Sequence, residues 1–208
     1  YFNDYYPNPY EDLGRYRNNG RNDDLVGNVE GNFKPLKWLN IMNRVSVTLS
    51  NASNKNTTGA IIYTPYAISH RSFASGGNAA ASVSDGSSYS TRVQNEFLVS
   101  TDNDFGDFNV KGLVGTLTRQ TNQKAVGISG SNLVIPTLFN VSNRTGEPGV
   151  GESNFRSRLW SVFGSVGVGY KNWAFVEFTG RNDWDSRLPI NNNSYFYPGV
   201  NASVVLSD

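Results

Sequence analysis

The chain has 208 residues, a net charge of +1, 17% charged and 13% aromatic residues, 21 glycines and no cysteine. Near-neutrality argues against nucleic acid or an acidic surface held by bulk electrostatics, and the missing thiols exclude disulfides, thiol catalysis and Cys-ligated metals. A length that would ordinarily make one domain contains no apolar run near the ~18 residues of a membrane helix, and abundant Gly, Ser, Thr and Asn suit strands with polar loops.

Residues 1–22 are polar, Asn-rich and aromatic (Tyr5, Tyr6, Tyr10, Tyr16), with an Asn19-Gly20 turn signal, and read as the end of a long loop. Alternation predicts a first strand over about 24–34, with Leu25, Val29 and Phe33 on one face and Asn28, Glu30, Asn32 and Lys34 on the other. Pro35 stops it, since proline cannot donate to the ladder. A second strand, about 39–50, sets Leu39, Ile41, Val45, Val47 and Leu49 against Asn40, Arg44, Ser46, Thr48 and Ser50, with Asn43 breaking the apolar side. Residues 51–88 are polar, and 69–88 lack any periodicity, which predicts a mobile loop. In a third strand, about 89–101, Val93, Phe97 and Val99 oppose Arg92, Gln94, Glu96 and Ser100. The turn DNDFGD leads to a fourth, about 108–119, of ambiguous facing, and a second long loop covers about 120–156. The fifth strand, about 158–170, places Trp160, Val162, Val166, Val168 and Tyr170 opposite Ser161, Ser165, Gly167 and Gly169. A tight Lys171-Asn172 turn returns it to a sixth, about 173–182, where Val176 and Phe178 oppose Glu177, Thr179 and Arg181. After a polar loop edged by Trp184, Tyr195, Phe196 and Tyr197, a seventh strand carries Phe196, Val200, Ala202, Val204 and Leu206 on one face. Its other face carries Tyr197, Gly199, Asn201 and Ser203.

One face fit for hydrocarbon and one for water is the pattern of a membrane-spanning β-strand, and alternation keeps mean hydropathy low despite the greasy face. Short and long connections alternate, as they do between the periplasmic and external ends of bacterial barrels. Each short turn has aromatics beside it: Phe33 and Trp38, Phe105 and Phe108, Tyr170 and Trp173. Such rings favour the headgroup zone. Val45, Val47, Val166, Val168, Val200 and Val204 are expected to face lipid, and Glu30, Arg44, Arg92, Glu96, Glu177 and Arg181 the lumen. Seven strands do not complete a barrel; bacterial barrels have even strand numbers, and plugged transporters use ~22. No signal peptide opens the chain. The expectation is an all-β, antiparallel up-and-down transmembrane barrel segment, residues 1–208 being an internal piece of a longer polypeptide.

The chemistry-bearing motifs have simpler readings. His70 is the only histidine and reads as a solvated loop residue, which removes paired-histidine metal sites. GISGS around Ser129 is not a nucleophile elbow and lacks a His/Asp partner set. Asp102, Asp104 and Asp107 around Gly106 miss the EF-hand spacing and suit a turn. Gly164, Gly167 and Gly169 lie within a strand with no helix to follow, so they read as small residues permitting close approach. Asp183 and Asp185 flank Trp184 as turn and surface groups in preference to a glycosidase pair. The Asn-x-Ser/Thr sites at Asn51, Asn56, Asn140, Asn143, Asn192 and Asn201 are expected from composition.

The Arg-Asn-Asp-Trp of 181–184, the Leu-Pro of 188–189 and the Asn-Ser-Tyr-Phe-Tyr-Pro of 193–198 resemble the barrel of the SusC/RagA group, TonB-dependent outer-membrane transporters. The likeness is strongest over 159–208 and extends to LVGNVEGNFKPLKWLNI and SNLVIPTLFNVSNRTGEP. The resemblance implies import of oligosaccharides or peptides through the outer membrane. It also implies a SusD-like surface lipoprotein that caps the mouth, and a plug domain driven by TonB through parts absent from these residues. It implies no cofactor, no catalytic residue and no enzyme activity. Lumen charges would then hydrate the pore or touch the plug. Tyr63, Tyr66 and Trp184 are loop candidates for stacking on a ligand, or for anchoring the rim or a partner. A soluble secreted carbohydrate-binding β-sandwich and a passive porin or adhesin barrel are the alternatives.

Overall fold

The computed structural model describes residues 9–171 and 173–206; Tyr5, Tyr6, Asn172 and Asp208 lie outside them. A short helix α1 (Pro9–Arg15) precedes β1 (Tyr16–Leu36) and β2 (Leu39–Thr58). Helix α2 (Pro65–His70) lies in the next connection, followed by β3 (Ser82–Phe105), β4 (Phe108–Gly130), β5 (Gly149–Tyr170), β6 (Ala174–Asp185) and β7 (Ser194–Val204). The strands form a single sheet in the order β1-β2-β3-β4-β5-β6-β7, an antiparallel up-and-down arrangement whose edges are β1 and β7. Consecutive antiparallel strands reverse at each connection, so the three short turns belong to one end of the sheet and the three longer links to the other. No helix among the described residues is long and apolar enough to cross a membrane.

All seven expected strands exist, but β1 to β5 run well beyond the expected limits. Residues 16–22 belong to β1, so Asn19-Gly20 is part of a strand and not a turn in a loop. Likewise 51–58, 82–88, 120–130 and 149–156 are ladder, not loop. The reason is physical. In NASNKNTT both faces are polar and in SVSDGSS Val83 is the single apolar residue, so no hydrophobic alternation marks the strand, while backbone pairing needs none. Periodicity located where one face turns apolar and missed where the ladder continued.

By contacts the described residues form two compact units: one of 9–24, 50–89 and 123–154, the other of 25–49, 90–122 and 155–206. In the first, Ala81, Val83, Leu133 and Val141 form a small buried cluster with Phe139 against it. The connection 131–148 is held by Asn143, whose amide accepts from Ile135 N at 3.2 Å and donates to Ile135 O and Leu138 O at 2.8 Å. The long polar segment expected between the second and third strands contains α2, capped by Thr64 Oγ1 accepting from Ala67 N at 3.2 Å, and an Ile61–Ala79 bridge.

In the second unit the register fixes the faces. Val166 pairs with Phe178 and Phe178 with Val200; Val168 pairs with Val176 and Val176 with Ala202; Gly167 pairs with Glu177 and Glu177 with Asn201. Directly paired residues share a face, so the alternation read from β5, β6 and β7 is the alternation of the sheet. The ambiguous β4 is resolved by its contacts. Arg119 Nε donates to Gln94 at 2.9 Å and Lys111 meets Asp102 at 3.4 Å, which puts Lys111, Leu113, Gly115, Leu117 and Arg119 on the polar face. Leu113 and Leu117 on that side are what blurred the pattern.

Close approach explains two of the three strand glycines. A Cβ on Gly164 would lie 2.9 Å from the Leu113 carbonyl oxygen, and one on Gly169 3.0 Å from the Phe175 ring, whereas at Gly167 the nearest atom is 3.9 Å away. Gly164→Ala should therefore destabilise the fold by about 1–3 kcal/mol, because backbone must move. Gly167→Ala should be nearly silent, and urea unfolding of the two variants side by side checks the contrast.

Candidate functional site

The polar face is a chain of partnered charges. Arg44 donates to Glu30 at 2.7 Å and reaches Glu96 at 3.5 Å. Arg181 donates to Asp183 at 2.7 Å and to the buried Ser161 hydroxyl at 2.9 Å, with its guanidinium 5.4 Å from the Phe163 ring centre. Glu177 accepts from Asn201 at 3.4 Å, and Arg92 is exposed two residues from Gln94 on β3. Near the short turns Asn109 donates to both Asp102 and Asp104 at 2.8 Å, and Lys171 meets Asp107 at 3.2 Å, so these carboxylates already have partners. Among the described residues no group of three potential metal ligands exists.

Sequence reading missed the apolar islands on this face. Met42 and Leu117 are each only 7% exposed, and Leu98 and Phe163 close over Gly115, where a Cβ would meet them at 2.4 and 2.8 Å. They interrupt polar alternation one residue at a time, a pattern indistinguishable in sequence from noise.

The apolar face is uncovered. Phe178 is 57% and Val200 66% exposed, and Val45, Val93, Phe97, Val114, Val166, Val168, Val176 and Val204 are exposed on the same side. Its polar break is self-satisfied: Asn95 donates to Asn43 Oδ1 at 3.2 Å, and Asn43 donates to the Glu96 carbonyl at 3.3 Å. Aromatic rings bound this face at both ends. At the short turns Phe108 packs on Tyr170 at 4.9 Å and Tyr170 on Trp173 at 6.0 Å; at the other end Trp160 stacks on its cross-strand partner Trp184 at 4.4 Å. Residues 160–170 cover about 33 Å at ~3.3 Å per residue, which a tilt of ~45° reduces to about 23 Å, close to the ~25 Å apolar band of outer-membrane barrels.

The three stacking candidates are not brought together. Tyr63 is half-buried in the β2–β3 connection, its N–H donating to Asn78 at 2.9 Å. Tyr66 is exposed on α2 and stacks on His70 at 4.2 Å, and His70 Nδ1 also lies 2.7 Å from Ser69 Oγ. Trp184 belongs to β6, not to a loop, and shares the apolar face with Val176 and Phe178. Sequence reading ended this strand at about 182 and left Trp184 at a loop edge, because the alternation fades there while the ladder runs on to Asp185.

Asp183 and Asp185 do not form an acid–base pair, since each is engaged by its own arginine, Arg181 and Arg187. The Arg187 side chain, helped by its backbone N–H, holds the Asp185 carboxyl below the usual carboxylate range despite partial burial, which is the wrong direction for a general acid. These bonds pin the link 186–193, with Ser186 N donating to Arg158 O and Asp185 N to Asn193 O, both at 2.9 Å. A lowered pKa in the folded state means that the stabilisation is complete above the ordinary carboxylate value and is lost as pH falls through the lowered one. Amide protection of 186–193 should thus persist into mild acid and collapse below that range, and Asp185→Asn should abolish this pH dependence in hydrogen-exchange measurements.

Solved structures share the fold, three of them among the most similar. These three are the RagAB peptide transporter (TM-score 0.75, 14% identity) and the RagAB peptide importer in its open-open (0.74, 15%) and closed-closed (0.73, 14%) states. Each alignment covers 91% of this chain and 20% of the other, so the chain spans about one fifth of the length of these neighbours. At such identity the likeness is one of fold. No family model matches the sequence, and neither does any curated protein. The barrel fold expected from the resemblance carried by 159–208 is the fold that these structures share.

Proposed function

We propose that these residues form part of the wall of an outer-membrane, TonB-dependent transporter that imports peptides or oligosaccharides with a SusD-like lipoprotein at its outer mouth. The observation that carries the reading is the uncharged, uncovered face of β2 to β7, bounded by aromatic rings about 23 Å apart at the ~45° tilt of such barrels. Its fit to a bilayer, together with a fold shared with transporter chains, supports a lipid-facing exterior. On this reading the opposite face lines the lumen. Glu30, Arg44, Arg92, Glu96, Glu177 and Arg181 keep it wet, and paired, exchangeable contacts of this kind allow a plug to shift without tearing a hydrophobic core. The edges β1 and β7 continue into neighbouring strands of a larger barrel, since lipid tolerates no unpaired backbone. TonB acts through the plug, outside these residues. Tyr63 and Tyr66, on the connection between β2 and β3, are candidates for contact with ligand or lid. Trp184 anchors the rim at the headgroup zone instead of stacking on a ligand. Binding and gating are the work of such a wall, and no side chain is assigned a chemical step.

The protein should require detergent or bilayer to stay monodisperse, and Val166→Arg, near the middle of the 160–170 band, should cost about 2–4 kcal/mol of folding stability in vesicles, the range for an arginine at the bilayer midplane. Peptide uptake by cells carrying the complete transporter should vanish when TonB is removed. A detergent-free monodisperse monomer, with Val166→Arg tolerated, would establish a soluble β-sandwich, and TonB-independent uptake a passive porin.

A further inference from the structure

At the upper edge of the apolar face two arginines share one neutral acceptor. Arg156 Nη2 and Arg158 Nε each donate to the Gln120 side-chain oxygen at 3.1 Å. Both lie on β5, two residues apart and therefore on one face, the face of Trp160. Among the described residues neither has a carboxylate partner, whereas Lys124 further up the sheet has Glu152 at 3.1 Å and Arg187 has Asp185. Gathering two guanidiniums around one amide oxygen leaves their mutual repulsion uncompensated, an arrangement completed by an anion.

The surroundings define which anion. A groove of about 620 Å³ is lined by Asn95, Thr118, Gln120 and Arg158 on its polar side and by the stacked Trp160 and Trp184 on its apolar side. The uncharged stretch of β5 ends at Trp160, and the first charge above it on that face is Arg158. Indoles at this height sit in the headgroup zone, so the guanidiniums directly above them are level with lipid phosphates. A free small anion would have no use for the indole floor.

We propose that Arg156, Arg158 and Gln120 bind the phosphorylated headgroup of an outer-leaflet lipid, whose chains lie against Trp160 and Trp184. The site rests on the proposed lipid-facing exterior. The planar fork of arginine suits bidentate contact with phosphate, so Arg158→Lys should keep only part of the affinity.

The test is a titration of the detergent-solubilised full protein with bisphosphorylated lipid A, read by native mass spectrometry. Its arms are dephosphorylated lipid A and inorganic phosphate. Arg156→Gln with Arg158→Gln should weaken retention of the phosphorylated lipid about tenfold or more, Lys124→Gln should leave it unchanged, and dephosphorylated lipid should be retained poorly even by the unaltered protein. Folding of each variant is checked by insertion into vesicles. Equal retention by the inserted double variant would overturn this site alone, as would full displacement of the lipid by millimolar inorganic phosphate. A protein that never needs detergent would overturn the lipid-facing exterior and the site with it.

Discussion

A sheet with a continuous apolar face must cover it, and among the described residues nothing lies over the side that carries Phe178, Val200 and Val166. In water such a surface is costly in proportion to its area. A second protein layer or hydrocarbon relieves that cost. The proposed reading takes the second solution, and the other features are consistent with it. Rings cluster where the apolar face ends at the short turns, as Phe108, Tyr170 and Trp173, and at the far end, as Trp160 and Trp184. Asn43 is tolerated on the greasy side because Asn95 and the Glu96 carbonyl satisfy its amide, where an unpaired amide would cost several kcal/mol in hydrocarbon.

The opposite face solves a different problem. Its charges are shared out in small groups, Glu30–Arg44–Glu96 and Ser161–Arg181–Asp183, so that little net field builds along the surface. Exposed pairs of this type contribute little to stability. Phe163, Leu98, Met42 and Leu117 give the wall local packing without making it greasy throughout, and Gly115 supplies the space in which two of these side chains meet.

The ladder also outruns the apolar band. Strands of up to 24 residues are longer than the ~9–11 that a bilayer requires, so β1 to β5 continue as sheet with only scattered apolar side chains such as Val83 and Ile128. There the connection 131–148 folds on its own small cluster of Ala81, Val83, Leu133 and Val141. Structured connections of this kind present a defined surface where loose loops would not.

How much of this was legible in the chain depends on whether a face changes polarity along the strand. Val166, Val168, Phe178 and Val200 announce strand, face and register together, because a one-residue slip would drive every one of them into water. The wording of 181–184 and 193–198 added a family resemblance that periodicity could not supply. Residues 51–58, 82–88 and 120–130 stayed hidden, since a ladder with at most one or two apolar residues, such as Val83 or Val126 and Ile128, shows no sustained alternation. The facing of β4 needed its neighbours Gln94, Asp102 and Phe163. Alternation specifies on which side of a strand a residue lies; which residues of distant strands meet there, as Arg156, Arg158 and Gln120 do, is decided by the register of the assembled sheet, because those contacts join positions that no local period connects.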